Sequence, residues 1–503
     1  MPEKPFPEEI FKFFEGPGGK SLLLKGAPGT GKTTFALQFL EEMGAEGNGI
    51  YLSTRVGDES LYRQFPWLKE KERRSMILDA GKVLLSVLAE GVLAEELLEE
   101  ESEKVERARE FLRTISPEEM PEKTDRRYLK NMMRKRRMPE VERVYDEIDK
   151  ILPNKPILVV DSVEGITHKF NLPMEDFIFM LQKDLVENSA TNLILVLEKS
   201  EFEEVEYIVD GVVSMHRTEI EGRRVREIHL EKLRGVEIKY PRYLMTLRNG
   251  RFLSIRPKEM EEISTTKWKG KKNKGEYYST GIPELDDILG GGFRKGTYNV
   301  IELGEEVPNS DYWAFMRPIF LNFIMNKMGI LAVLTGGEHV ERIREDISRF
   351  IDVEMFDRYV RVTDYFASDV SKPYIIPLGV RDREEAVMRW RKAVNEIRDG
   401  GKKPIVQFTG FDTLEYLRGG EIAIRDLFTA VGEIKTSDDV GIGILKPGLK
   451  ISREIINMAD IHLKLVNIDK IPCLYGVKPR TIIYAILPDE EKGLPYIKLL
   501  PIV

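Results

Sequence analysis

Cysteine is almost missing from this chain of 503 residues: Cys473 stands alone, which excludes an internal disulfide framework and a thiolate zinc cluster. Glutamine is also scarce, with four residues set against abundant Lys, Glu and Arg, the bias of thermophilic proteins. No apolar run reaches the length of about 18 residues that spans a bilayer. The nearest, "IFLNFIMNKMGILAVL" (319–334), is broken by two asparagines and Lys327, so no membrane association is expected. The opening "MPEKPFPEEIFKFF" lacks the basic start and apolar core of a secretory signal, and the expected location is cytoplasmic. Excess positive charge is lacking too. A net charge of −8 argues against a protein that coats nucleic acid over its whole surface, although local basic patches remain open.

What is present is 42% hydrophobic and 32% charged residues, on a chain too long for one ordinary core. In the first half, strand-like runs ("SLLLKG", "GIYLST", "SMILDAG", "PILVVDS", "TNLILVLE", "DGVVSMH") alternate with helical patterns. That alternation predicts a parallel sheet with crossover helices. The second half repeats the plan with "YNVIELG", "GILAVLT", "KPIVQFT" and "VGIGILK". The expected fold class is therefore α/β, two tandem domains over 1–255 and 277–503, joined by a polar, flexible linker over 256–276. Residues 82–140 read as a helical insertion in the first domain, acidic at "EELLEEESE" and basic at "RRYLKNMMRKRR".

The stretch "LLLKGAPGTGKTTFALQFL" (22–40) carries the clearest chemistry. Residues Gly26 to Thr33 match G-x-x-x-x-G-K-[ST], in which glycines let backbone N–H groups curl around phosphate oxygens at a helix N-terminus. Gly26, Ala27, Pro28, Gly29, Thr30, Gly31, Lys32, Thr33 and Thr34 are the expected ATP-binding residues. Lys32 suits the terminal phosphates, the Thr33 hydroxyl suits Mg²⁺, and Asp161 at the end of "PILVVD" is the expected second metal residue.

These motifs resemble KaiC-like ATPases of the RecA superfamily. The likeness rests on "GAPGTGKT", "VVDSVEG", the stretch 205–235 ending in "KLRG", and "STGIPELDDILGGGFRKGTYNVIELG" (279–304). It implies two RecA-like P-loop domains. It also implies that Lys232 and Arg234 act in trans on a neighbour's triphosphate, and hence a homo-oligomer, a ring or a dimer. KaiC-like enzymes place paired glutamates after the second strand, one of which orients the attacking water. Here those positions hold Arg55 and Val56, and an arginine cannot take a proton from water at neutral pH. Asp58 and Glu59 follow and are the candidate replacements. "STRV" with "QFPWL" (64–68) is similar to the GvpD-type branch of archaeal P-loop proteins, which implies regulation through a protein partner.

The second half has lost the phosphate chemistry. Laid on the first motif, it keeps Gly304 but carries Asn309, Ser310 and Asp311 for the second glycine, the lysine and the threonine. Glu305 and Glu306 add charge that repels phosphate. Thr409 takes the metal aspartate's place, and Lys478 with Arg480 keep only a K-x-R spacing. Such a degenerate twin serves as scaffold, partner platform or oligomer interface.

The basic run 126–137 reads in three ways: a helical arm neutralised by its acidic neighbour, a protein-partner surface, or a nucleic-acid contact. "KWKGKKNKG" (267–275) reads as flexible charged linker. The leading expectation is an ATP-binding regulatory protein with slow or no hydrolysis, because Arg55 replaces the catalytic glutamate. The alternatives are an active ATPase working on nucleic acid and phosphotransfer to a protein hydroxyl.

Overall fold

The computed structural model describes residues 5–44, 47–69, 77–83, 138–198, 203–257, 267–367, 372–379, 383–398 and 403–503. Most of the expected insertion, including the acidic and basic runs, lies outside these residues. The chain forms two compact units, 1–256 and 257–502.

The first unit begins with α1 (Glu8–Glu15), whose Ile10, Phe13 and Phe14 are buried. Strand β1 (Ser21–Gly26) leads through the glycine-rich loop into α2 (Lys32–Met43). Then come β2 (Gly49–Ser53), α3 (Asp58–Gln64), β3 (Ile77–Asp79) and α4 (Pro139–Ile151). They are followed by β4 (Ile157–Asp161), α5 (Val163–Phe170), β5 (Asn192–Val196), β6 (Gly211–Ile220), β7 (Arg223–Leu233), β8 (Arg242–Thr246) and β9 (Leu253–Ile255). Among the described residues the sheet order is β3-β2-β4-β5-β1-β6-β7-β8-β9. It is parallel from β3 to β6 and antiparallel beyond.

The central strands are apolar on both faces because helices cover both. Leu22 and Leu24 enter a cluster with Phe6, Phe35, Phe39 and Phe252, while Leu23 faces the opposite cluster with Val160 and Ile178. The β6–β7 ribbon turns through Glu221 and Gly222, both at positive φ (48° and 68°). That is the backbone a two-residue hairpin loop requires.

The second unit repeats the plan. A short ribbon of β10 (Tyr277–Tyr278) and β11 (Phe293–Arg294) precedes β12 (Thr297–Leu303) and α6 (Asn309–Met325). The larger sheet adds β13 (Gly329–Val333), β14 (Val360–Asp364), β15 (Ile375–Pro377), β16 (Ile405–Gly410), β17 (Val440–Leu445), β18 (Ile461–Ile468), β19 (Ile471–Lys478), β20 (Tyr484–Pro488) and β21 (Ile497–Pro501). Its order is β15-β14-β13-β16-β17-β12-β18-β19-β20-β21; from β14 to β21 it matches the first sheet strand for strand, and β15 is an added edge strand. The expected class, two tandem RecA-like α/β domains with mostly parallel sheets, is the architecture seen. The antiparallel extensions of both sheets were not anticipated.

The segment 267–275 corrects its reading as a flexible linker. Trp268 is 4% exposed and stacks on Tyr496 at 4.5 Å, and the Lys271 N–H donates to Asn322 Oδ1 at 2.7 Å. One large buried ring stacked on a half-buried partner fixes the run of lysines to the second unit.

Candidate nucleotide site

The loop after β1 bends because glycine stands where no other residue fits. Gly26 (φ 152°) lies so close to the β6 backbone that a Cβ would sit 2.4 Å from the Met215 carbonyl oxygen. Gly31 (φ 109°) abuts Leu247, and α2 starts at the next residue. Ala27, Pro28 and Gly29 are exposed, whereas Thr30 and Thr34 are buried. Lys32, 7% exposed, donates to the carbonyls of Gly26 (2.7 Å) and Ala27 (3.1 Å). Burial lowers its ammonium pKa, and the charges of Asp161, Glu198 and Glu164 oppose that shift. From β7, buried Arg226 donates to the outward carbonyls of Gly29 (2.8 Å) and Thr30 (3.2 Å), bracing the loop from behind.

The Thr33 hydroxyl donates to Asp161 Oδ2 at 2.8 Å, and the Tyr51 hydroxyl donates to the same oxygen at 2.5 Å. Tyr51 is fully buried on β2, and burial beside Asp161 pushes its phenol well above the ordinary value. The Asp161–Ser162 peptide is cis. A hydroxyl and a carboxylate are hard oxygen donors, so the pair brought together here fits Mg²⁺.

Asp58 and Glu59 are not brought to this pair. Asp58 opens α3 and is held by Lys82 at 2.6 Å, while the Glu59 side chain is 77% exposed beside Arg63. The acids that do reach the site were missed in the sequence. Glu198 follows β5, its main-chain N–H donates to Glu164 Oε1 at 2.6 Å, and its carboxylate is ion-paired with Arg55. Both acids follow buried strands within a few residues, in "VVDSVEG" and "ILVLE", and that signal could have found them.

Lys232 and Arg234 lie at the far end of the sheet. Gly26 is level with Met215 and thence with Ile228, whereas Lys232 pairs with Val212 near the start of β1. Three residues of β1 separate the two levels, about 10 Å along the strand. Lys232 donates to the carbonyls of Glu206 and Val209, and Arg234 to Asp210 and the Tyr207 carbonyl.

In the second unit, Val333 pairs with Thr409 as Ser53 pairs with Asp161, so Thr409 occupies the aspartate's place. Helix α6 opens with Asn309, Ser310 and Asp311, and burial raises the Asp311 carboxyl pKa. The Asn467 Nδ2–H donates to Asp311 Oδ2 at 3.3 Å, and an acid in this place is the reverse of a phosphate cradle. Lys478 donates to the Ala459 carbonyl.

The doubly covered parallel sheet and the loop–lysine–threonine–aspartate constellation define a class, and comparison with known proteins agrees. Residues 10–93 match the family described as GvpD gas vesicle protein, P-loop domain, and residues 101–260 match the KaiC ATPase family. These matches make the chain similar to P-loop ATPases of the KaiC type, in keeping with its two large, mostly parallel sheets. Within that class its likeness extends over the full length to the GvpD proteins of Halobacterium salinarum. It is 28% identical to Protein GvpD2 (99% of this chain, 96% of the relative) and 24% identical to Protein GvpD1 (99% and 97%). It is also 25% identical to the circadian clock oscillator protein KaiC of Thermostichus vulcanus, across 56% of this chain and 47% of KaiC. Among the described residues no helix is long and apolar enough to cross a membrane.

Proposed function

We propose that this protein is a nucleotide-gated regulator: ATP held by the first unit sets an oligomeric state or a partner contact, and hydrolysis is slow. The observation that carries the reading is a complete phosphate cradle whose post-β2 position holds an arginine tied to an acid. Loop N–H groups and the α2 N-terminus suit the phosphates. Lys32, bonded to loop carbonyls, can exchange them for phosphate oxygens and recover the charge stabilisation that burial removed. Thr33 and Asp161 would hold Mg²⁺, which offsets phosphate charge when bound.

Lys232 and Arg234 support assembly, because their position leaves them no route to their own loop. In a homo-oligomer they face the nucleotide of a neighbour, and binding then couples to subunit contact. The second unit, without lysine, threonine or aspartate at the equivalent places, serves as platform for a protein partner. Sedimentation velocity with and without Mg-ATP tests this reading. A nucleotide-dependent shift in mass that Lys32→Ala abolishes is expected. The same mass in all three samples, with ATP bound, would remove the oligomer from the account.

A further inference from the structure

The acid that a hydrolytic site needs is present, but it arrives from a different strand. Strand β4 ends at Asp161, flanked by β2 on one side and β5 on the other. Ser53 and Val196 are its partners at that level, and Arg55 and Glu198 each lie two residues further along. Val196 also pairs with Leu24, so Glu198 emerges between the phosphate loop and the metal aspartate. Arg55 reaches it by crossing over the end of β4. The crossing is built for: at Gly165 on α5 a Cβ would stand 2.2 Å from Thr54 Oγ1 and 3.4 Å from Arg55 Cγ. Glu164 fixes the Glu198 backbone from below.

We propose that Glu198 is the water-activating carboxylate of this site and that Arg55 silences it. The inference rests on the nucleotide reading above and explains its slow turnover. In the unmasked site, water attacks the γ-phosphorus and the bond to the β,γ-bridging oxygen breaks, its electron pair leaving with ADP. The water gives one proton to Glu198, which passes it to solvent, and the products are ADP and inorganic phosphate. The guanidinium held against Glu198 Oε2 competes with the attacking water for that oxygen. A positioned base contributes about 10² to 10⁴-fold, so release of even part of it is measurable.

The test uses the full chain and two readouts, equilibrium binding of a fluorescent ATP analogue and turnover of Mg-ATP. Arg55→Gln is expected to bind within about threefold of wild type and to turn over at least tenfold faster. Arg55→Lys, which keeps the cation, should stay slow. Arg55→Gln with Glu198→Gln should bind normally and fall back to the wild-type rate. Arg55 is half exposed, so its loss leaves the core intact; Arg55→Met carries the same expectations should the glutamine variant not fold. A nucleotide-bound Arg55→Gln with no gain overturns the proposal, as does a double variant as fast as the single. Absence of ATP binding by the wild type sinks the nucleotide reading itself and this inference with it.

Discussion

Asp161 concentrates the chemistry of the first unit on one oxygen that accepts from both Thr33 and Tyr51. Tyr51 is buried, so its hydroxyl is satisfied within the protein, by Asp161 and the neighbouring Thr33 hydroxyl. Tyr51→Phe should lower stability by about 1.5–3 kcal/mol, the scale of a hydrogen bond to a charged acceptor, as read by denaturant unfolding. A variant as stable as wild type would show the bond to be idle. At this scale the sequence was legible where the chemistry is contiguous: Lys32 and Thr33 stand in one motif, and Asp161 ends an apolar run. Glu198 was less legible: it follows an apolar run, but the strand order β4-β5-β1 is what carries it to a site whose other members are 34 residues and more away in sequence. Asp58 misled because helix α3 begins at that residue and turns its carboxylate to Lys82.

Elements position these residues through close approach. The start of α5 lies against the end of β2 because position 165 has no side chain. Gly165→Ala should therefore destabilise the first unit by about 1–3 kcal/mol, the cost of overpacking, visible as a lower melting temperature. An unchanged melting temperature would mean that the helix can shift freely. In the second unit, β12 and β18 are joined by Glu302, which accepts from His462 at 2.8 Å and lies 3.5 Å from Lys464. The His462 hydrogen bond, with Lys464 behind it, holds the Glu302 carboxyl below the ordinary range against the effect of burial. A carboxyl lowered by folding adds stability above its unfolded pKa and loses it as pH falls through the folded one. Stability should drop on acidification below about pH 4.5, and Glu302→Gln should flatten that slope in pH-dependent denaturant unfolding. An equally steep slope in the variant would assign the loss to other groups. The parallel strands were readable as unbroken apolar runs. The antiparallel ribbons were not, since β6 changes from apolar to polar halfway along and reads as a strand followed by a charged loop.

The whole molecule is a duplication in which one copy keeps its phosphate site. Apart from the added edge strand β15, strand order is common to both sheets, yet Ser310, Asp311 and Thr409 stand at the places of Lys32, Thr33 and Asp161. Fold persists without the site because the apolar strands that build it are independent of the loop residues that hold phosphate. That division was visible in the sequence, where the second half repeats the strand runs without the motif. The ordered entry to the second unit was hidden, because a single Trp268 among lysines gives no periodic signal.

The most direct measurement is the number of ATP molecules bound per chain at saturation, by equilibrium dialysis in Mg²⁺, for wild type and Lys32→Ala. One per chain, lost in Lys32→Ala with the circular dichroism spectrum unchanged, is the predicted result. Two per chain, or undiminished binding by Lys32→Ala, would contradict the assignment of the nucleotide to the first unit alone.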